Sequence, residues 1–433
     1  MHIAVIGTGY VGLVTGACFA DFGMRVTCVD KDDDKIASIN AGKMPIYEPG
    51  LDALVAKSVR EGRLEFSTDV RGTVERSLVV FLAVGTPPSG DGSADMSQID
   101  EVAYEIARSL NGYKVIVTKS TVPVGAASRI KKIIEENKAT PSRFSVAANP
   151  EFLREGAAIN DFMRPDRVVI GSTDDEAVAI LKDIYRPLYL IETPFVITTP
   201  ESAEMIKYAS NAFLATKVSF INEISRLCEL LGADVHDVAR GMGMDVRIGS
   251  KFLHPGPGFG GSCFPKDAQA LVALGRTVNY DVRIVEAALR VNETQKNSIL
   301  DRIRRLVPQL DGKTIAILGL AFKPETDDIR DAPSIKIIGD LLKEGTRVRA
   351  YDPAAMESAR RLLTDVEYCE DEYEAARGSD ALVVVTEWNQ FRRLDMDRLK
   401  QVMREPNIID LRNLYEPETM RSAGFKYLAM GRN

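Results

Sequence analysis

Apolar, largely β-branched runs recur along the first half of the chain, at 3–6, 26–29, 78–84, 115–117, 144–147 and 168–170. Helix-like stretches such as 12–22 and 101–110 separate them. Within each run the hydrophobicity is continuous rather than alternating, which predicts strands buried on both faces and therefore a mainly parallel sheet covered by helices. From Thr199 the pattern changes: Thr199 reads as a cap, Pro200 suits a first helical position, and no proline follows through Leu231. A single helix of about 32 residues would be roughly 48 Å long, more than one small domain can cover, so it is expected between two lobes and in a subunit interface. A second helical stretch is expected over 287–306, ahead of Pro308.

After Asp311 the pattern starts again. Thr314-Ile-Ala-Ile-Leu-Gly319, Arg347-Val-Arg-Ala-Tyr-Asp352 and Ala381-Leu-Val-Val-Val-Thr386 follow the order of His2-Ile-Ala-Val-Ile-Gly7, Arg25-Val-Thr-Cys-Val-Asp30 and Leu78-Val-Val-Phe-Leu-Ala83. Such a degenerate repeat of a whole lobe predicts one nucleotide-sized ligand per lobe. The expected architecture is α/β, two Rossmann-like doubly wound lobes joined by a long central helix. Its expected divisions are 1–198 for a dinucleotide, 199–309 for dimerisation and 310–433 for a second nucleotide ligand.

Composition narrows the class. The chain has 433 residues, 45% of them hydrophobic and 27% charged, which is enough for a large core and excludes a disordered or fibrous protein. A formal net charge of -7 disfavours nucleic acid as a partner. Five scattered cysteines, without a C-x-x-C pair, suggest neither a disulfide framework nor a zinc site. With no apolar stretch of membrane-spanning length and no signal-like N-terminus, a cytoplasmic protein without membrane attachment is expected.

Gly7-Thr8-Gly9-Tyr10-Val11-Gly12 follows a strand and opens a helix, so its glycines can turn tightly and let the backbone approach a pyrophosphate. Asp30 ends the next strand, where a carboxylate accepts from a ribose 2′-OH and repels a 2′-phosphate, favouring NAD over NADP. Gly319-Leu-Ala-Phe-Lys-Pro324 lacks the repeated glycines, so the second lobe should hold something else.

Gly256-Pro-Gly-Phe-Gly-Gly-Ser-Cys263-Phe-Pro-Lys-Asp267 puts a cysteine just before a predicted helix whose first turn contains Pro265 and Lys266. Helix dipole and lysine both favour thiolate, the nucleophilic form. Lys207 and Asn211 lie four apart on the long helix amid Ala203, Ile206, Ala209 and Phe213, which are expected to be covered. A solvated face would also explain the pair, but a buried ammonium needs a partner, and a substrate oxyanion could be one. Glu151 and Glu155 follow a buried strand one turn apart, as a ligand-facing pair or as an ordinary acidic first helical turn. With only His2, His236 and His254 available, acid and base work falls to carboxylates and lysine, and no metal is called for.

Those segments, with Gly85-Thr-Pro-Pro88, Ser120-Thr-Val-Pro-Val-Gly125, Asn149-Pro-Glu-Phe-Leu-Arg-Glu155, Glu204-Met-Ile-Lys-Tyr-Ala-Ser-Asn211 and Phe322-Lys-Pro-Glu-Thr-Asp-Asp-Ile-Arg330, resemble the UDP-glucose/GDP-mannose dehydrogenase family over essentially the entire chain. The resemblance implies a four-electron oxidation of a nucleotide sugar with two NAD+ and one water. It assigns Cys263 as nucleophile, Asp267 with a water near Thr121 as base or its orienter, Lys207 and Asn211 as oxyanion stabilisers, and Glu151 as activator of the hydrolytic water. Thr86, Thr121, Glu155, Lys266 and Arg330 match NAD-contacting positions of the family, beside Gly7, Gly9, Tyr10, Val11, Gly12, Asp30 and Lys35. Phe152, Leu153, Arg247, Phe252, the loop from Pro255 through Gly256 to Gly260, Lys323 and Arg412 match nucleotide-sugar positions, together with Glu151, Lys207 and Asn211. By the same resemblance Arg247 reaches into the neighbouring subunit's site of a homodimer. Phe259 and Phe264 fit the branch acting on UDP-glucose, whose product feeds polysaccharide synthesis, better than that acting on GDP-mannose, and Gly261-Ser262-Cys263 fits it better than the branch acting on UDP-N-acetylmannosamine, which more often shows Gly-His-Cys. His254 departs from relatives that carry Lys there. The contrasting readings are a one-step β-hydroxyacid dehydrogenase, which needs no thiol, and a non-catalytic nucleotide sensor.

Overall fold

The computed structural model describes residues 1–432. It divides into two α/β units, the first comprising Met1–Ser210 and Ala270–Tyr280, the second Asn211–Gln269 and the chain from Asp281 onward. The strands of the first unit are β1 (His2–Ile6), β2 (Arg25–Val29), β3 (Leu64–Ser67), β4 (Val79–Leu82), β5 (Lys114–Thr118), β6 (Phe144–Ala148), β7 (Val168–Gly171) and β8 (Phe195–Thr198). They form one sheet in the order β3-β2-β1-β4-β5-β6-β7-β8. Every neighbouring pair is parallel except β6 and β7, which meet antiparallel through Ala148 and Gly171.

The continuous apolar runs have a direct packing cause. Successive strand residues point to opposite faces, and both faces are covered. Val5, Phe81 and Val117 join Leu13 and Phe19 of the helix Tyr10–Asp21 on one side. Ile6, Leu82 and Ile116 join Ile106 and Ile130 on the other.

The second unit repeats the plan with β9 (Thr314–Leu318), β10 (Arg347–Tyr351), β11 (Val366–Tyr368), β12 (Ala381–Val384), β13 (Asn407–Asp410) and β14 (Lys426–Leu428). Their order is β11-β10-β9-β12-β13-β14 and all pairs are parallel. The correspondence extends to register: Ile6 pairs with Leu82 where Leu318 pairs with Val384. The two α/β lobes read from the repeated strands are therefore present, and the chain passes from one unit to the other inside the 32-residue helix Pro200–Leu231.

Local details depart from expectation in three places. The stretch 287–306 is two helices, Arg283–Asn297 and Ile299–Arg304, separated at Ser298, whose hydroxyl donates to the Gln295 carbonyl (2.7 Å). The segment 149–157 is irregular rather than an acidic helical turn; the next helix is Ala158–Met163, and Glu48 takes the free N–H groups of Gly156 and Ala158 (2.6 and 2.7 Å). On the long helix Lys207 and Asn211 are buried as expected, whereas Ala209 and Phe213 are exposed because they lie on the face this chain leaves uncovered.

Candidate functional site

In the first unit the glycine turn is built for close approach. Gly7 adopts φ +103°, and a Cβ there would run into the Ala83 carbonyl; a Cβ on Gly12 would run into the carbonyl of Gly7. Gly9 differs, since a Cβ there would meet nothing within 4 Å. Its bareness serves the open side, where a pyrophosphate could lie against the backbone at the helix N-terminus. Tyr10 and Val11 start that helix half-buried.

Asp30 accepts from Thr8 N (3.0 Å), Thr8 Oγ1 (2.7 Å) and Lys35 Nζ (2.8 Å). Burial favours its protonated form, but these donors together hold its carboxyl down at about 2. It is therefore an anion at neutral pH, suited to ribose hydroxyls. Gly7, Gly9, Asp30, Lys35, Val84 and Glu101 line one cavity. The residues present thus fit a dinucleotide.

Loops beyond the strands close around this region. Thr86 Oγ1 donates to the Thr121 carbonyl (2.8 Å), tying the segment after β4 to that after β5. Tyr10 donates to the Glu48 carboxylate, which also caps Gly156 and Ala158, so the half-buried Glu155 is fixed relative to the glycine turn. Glu151 is 5% exposed and Lys207 4%, and they pair at 2.8 Å. The second oxygen of Glu151 accepts from Leu153 N (2.5 Å). The Phe152 ring lies 5.4 Å from Lys207 Nζ. The partner that a buried ammonium requires is thus a carboxylate within the same unit.

In the second unit Cys263 immediately precedes the helix Phe264–Thr277, and its carbonyl accepts from Asp267 N (2.8 Å) in that helix's first turn. It is half-buried, whereas Cys18, Cys28, Cys228 and Cys369 are buried. Asp267 is fully buried, with Asn211 Nδ2 donating to one oxygen (2.6 Å) and Lys266 Nζ 2.7 Å from the other. Carboxylate, ammonium and amide therefore meet in the first turn of the helix that Cys263 precedes.

The glycine loop before the cysteine is immobilised from two helices. Asn222 Oδ1 accepts from Gly256 N and Gln295 Nε2 donates to its carbonyl, each at 2.8 Å. Asn292 bonds both the N–H (2.8 Å) and the carbonyl (3.1 Å) of Phe259. Gly260 has no room for a side chain beside the Asp331 carbonyl. Phe252, at φ +63°, and Phe259 flank the Phe264 ring at 6.0 and 6.1 Å, and Pro255 is buried. Arg412 Nε bonds the Val385 carbonyl (2.8 Å) and the Glu387 carboxylate (2.9 Å), while its Nη2 donates to the Phe322 carbonyl (3.1 Å), next to Lys323.

Arg330 pairs with Asp328 (2.8 Å), its carbonyl accepting from Gly261 N (2.8 Å). Arg247 instead folds onto Asp245 with its side chain 86% exposed. Glu48, Asn222, Asn292 and Gln295 escaped the sequence reading. A usable signal was Asn222, three helical turns beyond Asn211 on the same inward stripe. Among the described residues no cluster of three or more His, Cys, Asp or Glu is placed to hold a metal, and no helix is long and apolar enough to cross a membrane.

Comparison with known proteins covers the whole chain. Residues 1–189 match the NAD binding domain of the UDP-glucose/GDP-mannose dehydrogenase family, 201–294 its central domain and 316–417 its UDP binding domain. A UDP-glucose 6-dehydrogenase of Rhizobium meliloti is 52% identical, with both chains covered completely. One of Bacillus subtilis is 48% identical over 99% of this chain and 93% of the relative. The solved UDP-glucose dehydrogenase of Pyrobaculum islandicum superposes with a TM-score of 0.92 at 38% identity, covering 100% of this chain and 98% of that one.

Proposed function

The chain belongs to the UDP-glucose/GDP-mannose dehydrogenase family and is an NAD-dependent oxidoreductase, and from that premise we propose that it oxidises UDP-glucose at C6 to UDP-glucuronate. When bound, NAD+ would supply the hydride acceptor for each of two oxidations. Gly7, Gly9, Tyr10, Val11, Gly12, Asp30 and Lys35, with Thr86, Thr121, Glu155, Lys266 and Arg330, are assigned to holding it. Phe152, Leu153, Phe252, Pro255, Gly256, Gly260, Lys323 and Arg412 are assigned to the nucleotide sugar, and Arg247 to the site of the second copy in a homodimer.

In this reading the C6 alcohol loses its proton to a base in which Asp267 takes part, directly or through water near Thr121, while its C6 hydride would go to the bound cofactor, leaving an aldehyde. Cys263 Sγ adds to the resulting aldehyde, and the thiohemiacetal loses the second hydride to become a thioester. Lys207 and Asn211 stabilise negative oxygen during both stages. Glu151 takes a proton from water as that water attacks the thioester, releasing the carboxylate and the thiol. We further assign 1–198 to cofactor binding, 199–309 to dimerisation and 310–433 to the UDP moiety. The exposed Phe213, Phe220, Leu227 and Leu230 of the long helix support its role in dimerisation. The reaction is assigned to the cytoplasm and to the supply of polysaccharide synthesis.

The observation that carries this proposal is the half-buried Cys263 at a helix start whose Asp267 is bonded to Asn211 and Lys266. Two NADH should form per UDP-glucose. Cys263→Ala should fold normally yet lose acid formation by at least about 1,000-fold, because no thioester can form. Unchanged acid formation in that variant would leave a thiol-independent one-step enzyme as the better description.

A further inference from the structure

Lys119 is buried where the fold does not demand a lysine. It follows β5 directly, is 5% exposed, and donates to Asn149 Oδ1 and Tyr185 OH, both at 3.0 Å. Both partners are neutral. Burial pulls its ammonium down to about 7, with Glu151 acting against that shift and Lys207 adding to it. A buried cation on neutral partners is costly and invites the question of what it holds.

The second lobe supplies an internal control. Leu82 pairs with Thr118 at the end of β5, and Val384 with Asp410 at the end of β13. The next N–H groups bond identically, Lys119 N to the Leu82 carbonyl (2.9 Å) and Leu411 N to the Val384 carbonyl (3.0 Å). Leu411 is fully buried at the position corresponding to Lys119. The same backbone place is therefore filled by an ordinary apolar side chain when only packing is required.

What Lys119 adds is control of Asn149. Asn149 Oδ1 also accepts from Tyr185 OH (2.6 Å), its Nδ2 donates to the Val169 carbonyl (2.7 Å), and its backbone N–H to the Thr118 carbonyl (2.9 Å). Pro150, with its fixed φ, then leads straight to Glu151. A shift of Asn149 is thus passed to the carboxylate that pairs with Lys207.

We propose that Lys119, acting through Asn149 and Tyr185, is a positioning residue that sets the Asn149-Pro150-Glu151 turn and so aligns Glu151 for hydrolysis of the Cys263 thioester. This rests on the role given to Glu151 above. The step concerned is water attacking the thioester carbon, its proton passing to Glu151 and the C–S bond breaking to return the thiol. Lys119→Leu should leave both oxidations fast and slow only this step.

The test is rapid mixing of the full-length enzyme with saturating UDP-glucose and NAD+, followed by acid quench and mass analysis of the Cys263 peptide. In Lys119→Leu the ratio of initial to steady-state NADH formation should rise at least 10-fold over the parent, and the peptide should carry the sugar thioester. Tyr185→Phe, which keeps the ring, should move the same ratio less and stands in if Lys119→Leu does not fold. Folded variants that keep the parental ratio, or that lose both phases equally, would overturn the inference while leaving the oxidation itself intact. A parent forming no NADH from UDP-glucose would remove the reading of the reaction and this inference with it.

Discussion

Both sheets open with the same turn. β1 runs into Gly7 at φ +103° and β9 into Gly319 at φ +96°, and in each lobe the neighbouring strand is followed directly by an aspartate, Asp30 or Asp352. The lobes then part. Gly9 has open space over it, whereas its counterpart Ala321 is 1% exposed and its carbonyl accepts from Thr386 Oγ1. The first lobe enters its helix at Tyr10, while the second interposes a loop and begins its helix only at Pro333. Asp30 takes Thr8 and Lys35 from one side and is only partly buried. Asp352 is 1% exposed and takes the N–H groups of Leu320, Ala321, Ala354, Ala355 and Trp388. The carboxylate that can read a ribose in one lobe is committed to the fold in the other. Shared topology thus places an acid at the sheet's carboxyl edge, and a few neighbours decide whether it serves a ligand or the chain.

The difference can be broken at several points. Asp352→Asn leaves some of five converging donors badly paired and should cost about 3 kcal/mol in urea unfolding; an unchanged midpoint would mean the acid is not structural. Gly9→Val should fold at the parental Tm but bind NADH about 100-fold more weakly, because the new side chain occupies the pyrophosphate's side; retained affinity by fluorescence titration would refute that placement. Asp30→Asn should cost less in unfolding than Asp352→Asn, about 1–2 kcal/mol, yet weaken NAD about 10-fold and narrow discrimination against NADP. Parallel titrations with the two cofactors check this.

The smallest effect concerns how helices start. The helix Ala126–Asn137 in the first lobe takes the Glu204 carboxylate on Gly125 N (2.7 Å) and Ala127 N (2.9 Å), whereas Pro417–Ser422 in the second begins on its own proline. Burial, opposed by those backbone donors, pushes Glu204 up to about 7 from an ordinary 4.5. Its folded value is the higher one, so the stability it contributes is fully present below pH 4.5 and is lost as pH rises through about 7. Glu204→Gln should therefore gain on the parent between pH 5 and pH 8, by about 1 kcal/mol or a few degrees in Tm. A Tm difference independent of pH would remove Glu204 as the source.

Much of the site was legible because particular chemistry leaves particular residues. Gly9, Asp30 and Cys263 stand out locally, through a glycine whose missing side chain faces outward, an acid closing a strand, and a thiol ahead of a helix-starting proline. Asn222, Asn292, Gln295 and Glu48 do not, since each looks like any polar residue until a distant backbone N–H or carbonyl is brought against it. Of the two readings of Glu151 and Glu155, the acidic helical turn fell for a related reason: Glu48, far off in sequence, takes the N–H groups of Gly156 and Ala158, and the segment stays irregular.

By itself the sequence determined what depends on neighbouring residues: buried parallel strands from unbroken apolar runs, the repeated lobe from their order, the long helix from an uninterrupted span after Pro200, and the chemical character of the cysteine segment. Tertiary structure alone decided what depends on encounters between distant residues. It paired Glu151 with Lys207 and Asn211 with Asp267, closed five donors on Asp352 while leaving Asp30 accessible, and set Lys119 on Asn149 where the other lobe keeps Leu411. The physical reason is that a buried polar group is stable only when its partner arrives, and the partner's identity is fixed by how the chain packs rather than by any local pattern.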